Sequence, residues 1–160
     1  MNVRDAEAGE LADLARIWYD GWRDAHTQIV PAELAELRTP ESFQERLRAA
    51  LPYVRVAGPS GAAVGFYIIK DDELSQLFVS AQARGSGVAA ALIADAEARL
   101  HDAGFGTAWL ACAVGNERAA RFYEKAGWHR AGTREYSAET SAGEFILQVW
   151  RYEKPLGVRR

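Results

Sequence analysis

The segment from Leu77 to Leu92, LFVSAQARGSGVAAAL, constrains this chain more than any other part of it. An apolar, β-rich run leads into a turn holding Gly85 and Gly87, and an alanine-rich helical pattern starts directly after it. The start of a helix leaves its first backbone N–H groups unpaired and carries the positive end of the macrodipole, so a strand that arrives there through glycines builds an anion site. Gly85 and Gly87 let the backbone approach a phosphate with no Cβ in the way, and Ala89 keeps the next turn slim. A phosphorylated ligand is expected at Gly85, Ser86, Gly87, Val88 and Ala89.

Three ligand classes use this physics, and the surrounding residues separate them. A P-loop needs GxxxxGK[ST], and no lysine follows Gly87. Gly85 to Ala90 fits the GxGxxA of a dinucleotide site, but that site requires an acidic residue about twenty positions on, at the end of the next strand. The next strand, Thr107 to Val114, holds neither Asp nor Glu. Roughly half the chain also precedes the motif, in patterns that read as helices and antiparallel hairpins, whereas a dinucleotide half begins with this strand.

Residues 2 to 6 predict a short first strand, and Leu11, Leu14, Ile17, Trp18 and Trp22 give helical spacing between Gly9 and His26. Pro31 opens a short helix over PAELAEL, and Thr39 followed by Pro40 and Glu41 caps another over ESFQERLRAAL. YVRVA, AAVGFYIIK and ELSQLFV read as hairpin strands separated by GPSG and by Asp71-Asp72. The helix after Gly87 closes at Gly104, TAWLACAV reads as a fully apolar strand of the buried parallel type, Glu117 to Lys125 is a short helix, and a final hairpin turns around Ser141 to Gly143. That order predicts an α/β fold, one domain over residues 1–160, with a mixed sheet between helical layers.

With 49% apolar and 26% charged residues the chain has a globular composition, and its net charge of -3 supplies no field for nucleic acid or an anionic membrane. Neither partner is expected. Met1 to Glu7 has no signal-peptide core and no run is long enough to span a bilayer, so the expected location is cytoplasmic. Cys112 is the only cysteine, and His26, His101 and His129 lack ligand spacing, so no metal is expected.

The motif and its neighbours resemble the GCN5-related N-acetyltransferase (GNAT) family. Its acetyl-CoA signature, [RQ]-x-x-G-x-[GA], is met by Arg84, Gly87 and Ala89. The family's LxV on the preceding strand is met by Leu77, Phe78 and Val79, and its N-x-x-A-x-x-[FL]-Y-x-x-x-G-[FW] element by Asn116, Ala119, Phe122, Tyr123, Gly127 and Trp128. The match is good over 62–128, and the first 60 residues match only in kind. The resemblance implies a centrally splayed sheet with helices on both faces and acetyl-CoA as cosubstrate. Peptide groups around Leu77 and Val79 would hold the pantetheine arm, amides from Gly85 to Ala89 the pyrophosphate, and Asn116 the pantetheine again.

The same resemblance puts Tyr123 near the thioester sulfur, as general acid or hydrogen-bond donor to the departing thiolate. An ammonium acceptor must lose a proton before it attacks, which calls for a base. Strict alternation places Glu73, Ser75, Leu77 and Val79 on one face unless a β-bulge intervenes, and Glu73 lies where histone acetyltransferases of the family carry their base. A solvated turn acid after Asp71 and Asp72 is the other reading of Glu73. Trp18, Tyr19, Trp22, His26 and the stretch from Val30 to Leu37 either shape the acceptor pocket or belong to the core. The expected activity is direct acetyl transfer to the primary amine of a small molecule or peptide, with a homodimer left open. The alternatives are an acyl-CoA-binding sensor of the same fold and a dinucleotide-binding protein.

Overall fold

Short β-rich runs divided by tight turns pair in sequence to make most of the sheet. In the computed structural model, which describes residues 2–157, β1 (Val3–Asp5), β2 (Val54–Ala57), β3 (Gly65–Lys70) and β4 (Glu73–Val79) form an antiparallel series. The β3–β4 turn has only Asp71 and Asp72 between paired strand ends, and Asp71 takes the left-handed conformation that such a turn demands. Beyond β4 come β5 (Thr107–Ala113), β7 (Gly143–Pro155) and β6 (His129–Thr140), giving seven strands in the order β1-β2-β3-β4-β5-β7-β6. Residues 1 and 158–160 of the expected domain lie outside the described residues.

α1 (Leu11–His26) buries Leu11, Leu14, Ala15, Trp18 and Trp22 on one face. Its entry is fixed by Glu10, whose carboxylate pairs with Arg4 at 2.7 Å and accepts from Glu7 N at 3.0 Å. α2 (Ala32–Leu37) follows Pro31, and α3 (Pro40–Ala50) starts at Thr39, whose Oγ1 accepts from Ser42 N at 3.1 Å. Trp18, Phe43, Phe66 and Ile68 lie in the core between α1, α3 and one face of the sheet. α4 (Val88–Asp102) covers the other face with Val88, Leu92, Ala96 and Leu100, joined by Ala120 of α5 (Glu117–Lys125). Helices therefore cover both faces, as expected.

β4, α4 and β5 form the expected crossover, but β5 departs from the buried parallel strand read in the sequence. It is parallel to β4 at the single pair Glu73–Trp109 and antiparallel to β7 over seven pairs. Only Ala108, Leu110 and Cys112 are buried, because β5 has helical cover on one face and a twisted hairpin as its long neighbour. β4 and β5 therefore splay apart beyond Glu73. No helix among the described residues is long and apolar enough to cross a membrane.

Candidate active site

The splay opens a cleft of about 800 Å³ whose walls include β4, the start of α4, β5, α5, α1 and β6. Its first wall is backbone. Ser80 N donates to Val64 O at 2.8 Å, and antiparallel alternation then directs the peptide groups of Phe78 toward β3 and those of Leu77 and Val79 toward β5. β5 has already diverged there, so these groups face the cleft with no strand to bond.

Where β4 ends, the chain passes through a single 3-10 turn, Ala81–Ala83, into Arg84 and the glycines. Gly85 and Gly87 have φ of +79° and +90°, the left-handed region, and a Cβ on either would point into space with no atom within 4 Å. Gly87 is the N-cap of α4, and the helical ladder begins with Ala91 N to Gly87 O at 3.0 Å. The amides of Val88, Ala89 and Ala90 precede that first bond and have no helical acceptor. Val88 turns its side chain into the core, so it can reach a ligand only through its amide, while Ser86, expected to bind there too, bonds back to Ala83 O through both Oγ and N. Gly85, Gly87, Ala89 and Ala90 line the cleft.

Two cations stand at this mouth, both engaged. Arg84 and Arg118 bond the same Asp24 oxygen at 3.0 and 3.1 Å, and together they hold the Asp24 carboxyl below its ordinary range. The sequence reading missed Asp24 and Arg118, which only the approach of α1 to α5 brings to the motif. Gly21 is what permits that approach on the sheet side, since a Cβ there would lie 2.7 Å from the Phe78 ring.

Asn116 is the N-cap of α5, its Oδ1 accepting from Ala119 N at 3.4 Å. The cap turns one end of the amide inward to the helix and leaves the other for the cleft, whose wall it shares with Tyr123. Tyr123 packs against Phe122, Trp128 and Tyr152 at ring distances of 5.3, 6.4 and 6.2 Å. Burial, reinforced by Cys112, raises its phenol well above the ordinary value, so it stays protonated through the neutral range. Cys112 is itself pushed up to about 12 by burial, and its Sγ lies 3.6 Å from Asn116 O, a thiol kept from the thiolate form.

Glu73 is not a solvated turn acid. It is 7% exposed, and burial raises its carboxyl above the usual range while Tyr136 Oη donates to its Oε2 at 3.4 Å. The face assigned by strict alternation is corrected. Ile68 pairs with Gln76 but Ile69 with Leu74, which leaves Ser75 as an extra residue in β4. The bulge reverses the parity, so Glu73 shares a face with Gln76 and Phe78, toward α1 and α3, while Leu77 and Val79 join the core beneath α4. Asp72, its neighbour in sequence, is structural and accepts from Trp109 Nε1 at 3.0 Å.

The N-terminal aromatics divide between the two readings. Trp18 is core, 1% exposed and 4.8 Å from the Phe43 ring, and Tyr19 packs edge-on to Phe43. Trp22 and His26, their rings 5.2 Å apart, line the cleft, as does Val30 at the head of the expected stretch. Burial lowers the His26 imidazole, whose Nδ1 is 3.0 Å from Trp22 O. Tyr136, Arg38 and Arg46 also line the Glu73 end, and sequence reading found none of them. Among the described residues no three His, Cys, Asp or Glu side chains gather as a metal site.

The chain that builds this cleft is similar in sequence and in fold to known proteins. Residues 12–128 match the model of the acetyltransferase (GNAT) family. An uncharacterized N-acetyltransferase of Mycobacterium tuberculosis is 35% identical over 113 residues, covering 68% of this chain and 70% of that protein. The fold is shared with a GCN5-related N-acetyltransferase structure from Rhodopseudomonas palustris, at TM-score 0.74 and 19% identity over 96% of this chain and 94% of that one. It is shared equally with the PaiA N-acetyltransferase of Thermoplasma acidophilum, solved with coenzyme A, at TM-score 0.74 and 18% identity over 96% and 98%. By its family match and by this relative, the chain belongs to the acetyltransferase (GNAT) family.

Proposed function

We propose that the protein transfers the acetyl group of acetyl-CoA directly to a primary amine, and that the two halves of the cleft divide the work. The observation that carries this reading is the set of peptide groups without a chain partner at Leu77, Val79, Gly85 and Gly87 to Ala90, open at Gly85 and Gly87 where a side chain would stand. Peptide groups of Leu77 and Val79, flanking Phe78, suit an extended amide-bearing arm added like a strand. The amides of Gly85 and of Gly87 through Ala90 suit a diphosphate, with Arg84 released from Asp24 to join them. That a protein of the same fold was solved with coenzyme A supports the assignment.

Acetyl-CoA supplies the thioester. Glu73 takes the proton of the acceptor ammonium, a task its raised affinity for protons favours. The amine nitrogen then bonds the acyl carbon as the carbon–sulfur bond breaks. Tyr123, kept protonated by burial, hydrogen-bonds the leaving sulfur, and the second proton shed by the acylated nitrogen ends on that sulfur, so CoA leaves as the thiol and Tyr123 remains a phenol. Cys112, held as a neutral thiol, has no covalent part.

The test is acetyl-CoA-dependent release of CoA across polyamines, aminoglycosides, amino acids and peptide N-termini, with mass spectrometry of the acetylated product. Turnover of at least one amine is expected. Binding of acetyl-CoA with no turnover on any of them would contradict transfer and leave an acyl-CoA-binding module, and stabilisation by NAD but not CoA would contradict both.

A further inference from the structure

Among the described residues, two arginines at the Glu73 end of the cleft have no counter-ion. Arg38, just after α2, is 6% exposed; its Nη1 donates to Glu139 O at 3.1 Å and its buried Nε has no partner. Arg46 of α3 lies with its guanidinium 4.3 Å from the Trp18 ring centre and 5.6 Å from that of Phe43, and among the described residues it makes no ion pair. Other arginines of the chain do find carboxylates: Arg4 on Glu10, Arg55 on Asp95, Arg84 and Arg118 on Asp24, Arg151 on Glu153.

Burial without a partner is unfavourable for a cation, and Arg46 also feels the charge of Arg38. Burial and the charge of Arg38 bring Arg46 down to about 10, and burial alone lowers Arg38. The charged groups near them do not resolve this. Glu73 is bonded to Tyr136 and draws no compensation from either arginine, the Glu139 side chain is exposed, and Lys70 adds a further positive charge near Glu73. Tyr136 stands between the two sets, bonded to Glu73 on one side and sensing Arg46 on the other.

Resting on acetyl transfer as read above, we propose that Arg38 and Arg46 receive an oxyanion carried by the acceptor itself, which makes the acceptor a small amino acid or similar amine bearing a carboxylate. A carboxylate fits the planar forks of two guanidiniums and satisfies donors that the protein leaves idle. With the anion held there, the amine of the same molecule lies toward Glu73, on the far side of Tyr136. Unsubstituted polyamines, positive throughout, would meet like charge.

The test measures initial rates of CoA release for the standard amino acids, each beside its carboxamide and its decarboxylated amine, with wild type, Arg46→Gln, Arg38→Gln and Arg46→Lys. At least one amino acid is expected to exceed both of its carboxylate-free counterparts by about tenfold in kcat/KM, with most of that excess lost in Arg46→Gln and Arg38→Gln, partly kept in Arg46→Lys, and KM for acetyl-CoA changed less than about twofold throughout. Carboxamides that react as well as their acids overturn the proposal, as does a wild-type ratio in Arg46→Gln, or a loss of acetyl-CoA affinity that assigns these arginines to the coenzyme instead. If no amine reacts at all, it is acetyl transfer that fails, and calorimetry judges the anion site separately. Amino acids titrated into the CoA-saturated protein should give heat in wild type that Arg46→Gln lacks, and no heat in wild type overturns the proposal.

Discussion

The two ends of the cleft are built from different materials. At the α4 end the groups proposed to bind are peptide N–H and C=O groups from one stretch of chain, Leu77 to Ala90, placed by a strand that loses its neighbour and a helix that starts on a left-handed glycine. At the Glu73 end they are side chains from β4, α3, β6 and the residue after α2, brought together by tertiary packing alone. Backbone groups cannot be exchanged by substitution, so the first end suits a ligand common to a whole family. Side chains can be, so the second end is where substitution can change what the cleft accepts.

If that division holds, changes at the side-chain end should damage turnover and changes at the backbone end should damage coenzyme affinity. The largest effect is expected for Glu73→Gln, a loss of about a hundredfold or more in kcat/KM near neutral pH, since a positioned base contributes on that order. The pH profile sharpens this. The Glu73 carboxyl titrates above the usual carboxylate range, so the acid limb of wild-type kcat/KM should sit correspondingly high, and Glu73→Gln should abolish that limb. The stability sign follows from the same shift. A carboxyl that binds its proton more tightly folded than unfolded adds stability at low pH, lost as pH rises through the folded value, so Glu73→Gln should raise Tm at neutral pH by differential scanning calorimetry.

Tyr123→Phe comes next, with turnover down by about ten- to a hundredfold and KM for acetyl-CoA nearly unchanged in steady-state kinetics. Equal losses in both would move Tyr123 to the binding half. Gly87→Ala should weaken CoA binding by about tenfold in calorimetry, because a Cβ at φ +90° strains the turn and enters the space left for a phosphate. The smallest effect belongs to Asp24→Asn, which frees Arg84 and Arg118 from an exposed ion pair. CoA should then bind a few-fold tighter, by up to about 1 kcal/mol, and the gain should shrink in salt.

The same contrast explains what could be read without a structure. Arg84, Gly87 and Ala89 lie close together in sequence, and the physics that makes them a candidate site is local: glycine conformation and an open helix start. The hairpins, the crossover and the caps at Thr39 and Gly104 were legible for the same reason. The face of Glu73 was not, because the bulge at Ser75 is a property of how β4 meets β3 and leaves no mark in an alternating run. Nor was the neighbour of β5 on its far side, since TAWLACAV is apolar enough for either pairing. Arg38 and Arg46 resemble any surface arginine on a short amphipathic helix until Glu139 and Trp18 close over them. Tyr136, 63 residues from Glu73 along the chain, could be joined to it only by folding.

The central claim is that main-chain amides at the start of α4 grip the diphosphate of coenzyme A. Amide nitrogen-15 chemical shifts of the uniformly labelled protein, recorded as CoA is added to saturation, test it directly. The largest displacements are expected at Gly85 and from Gly87 to Ala90, and much smaller ones there when pantetheine, which lacks the diphosphate, is added instead. Resonances of those residues that stay in place while others respond to CoA would contradict it.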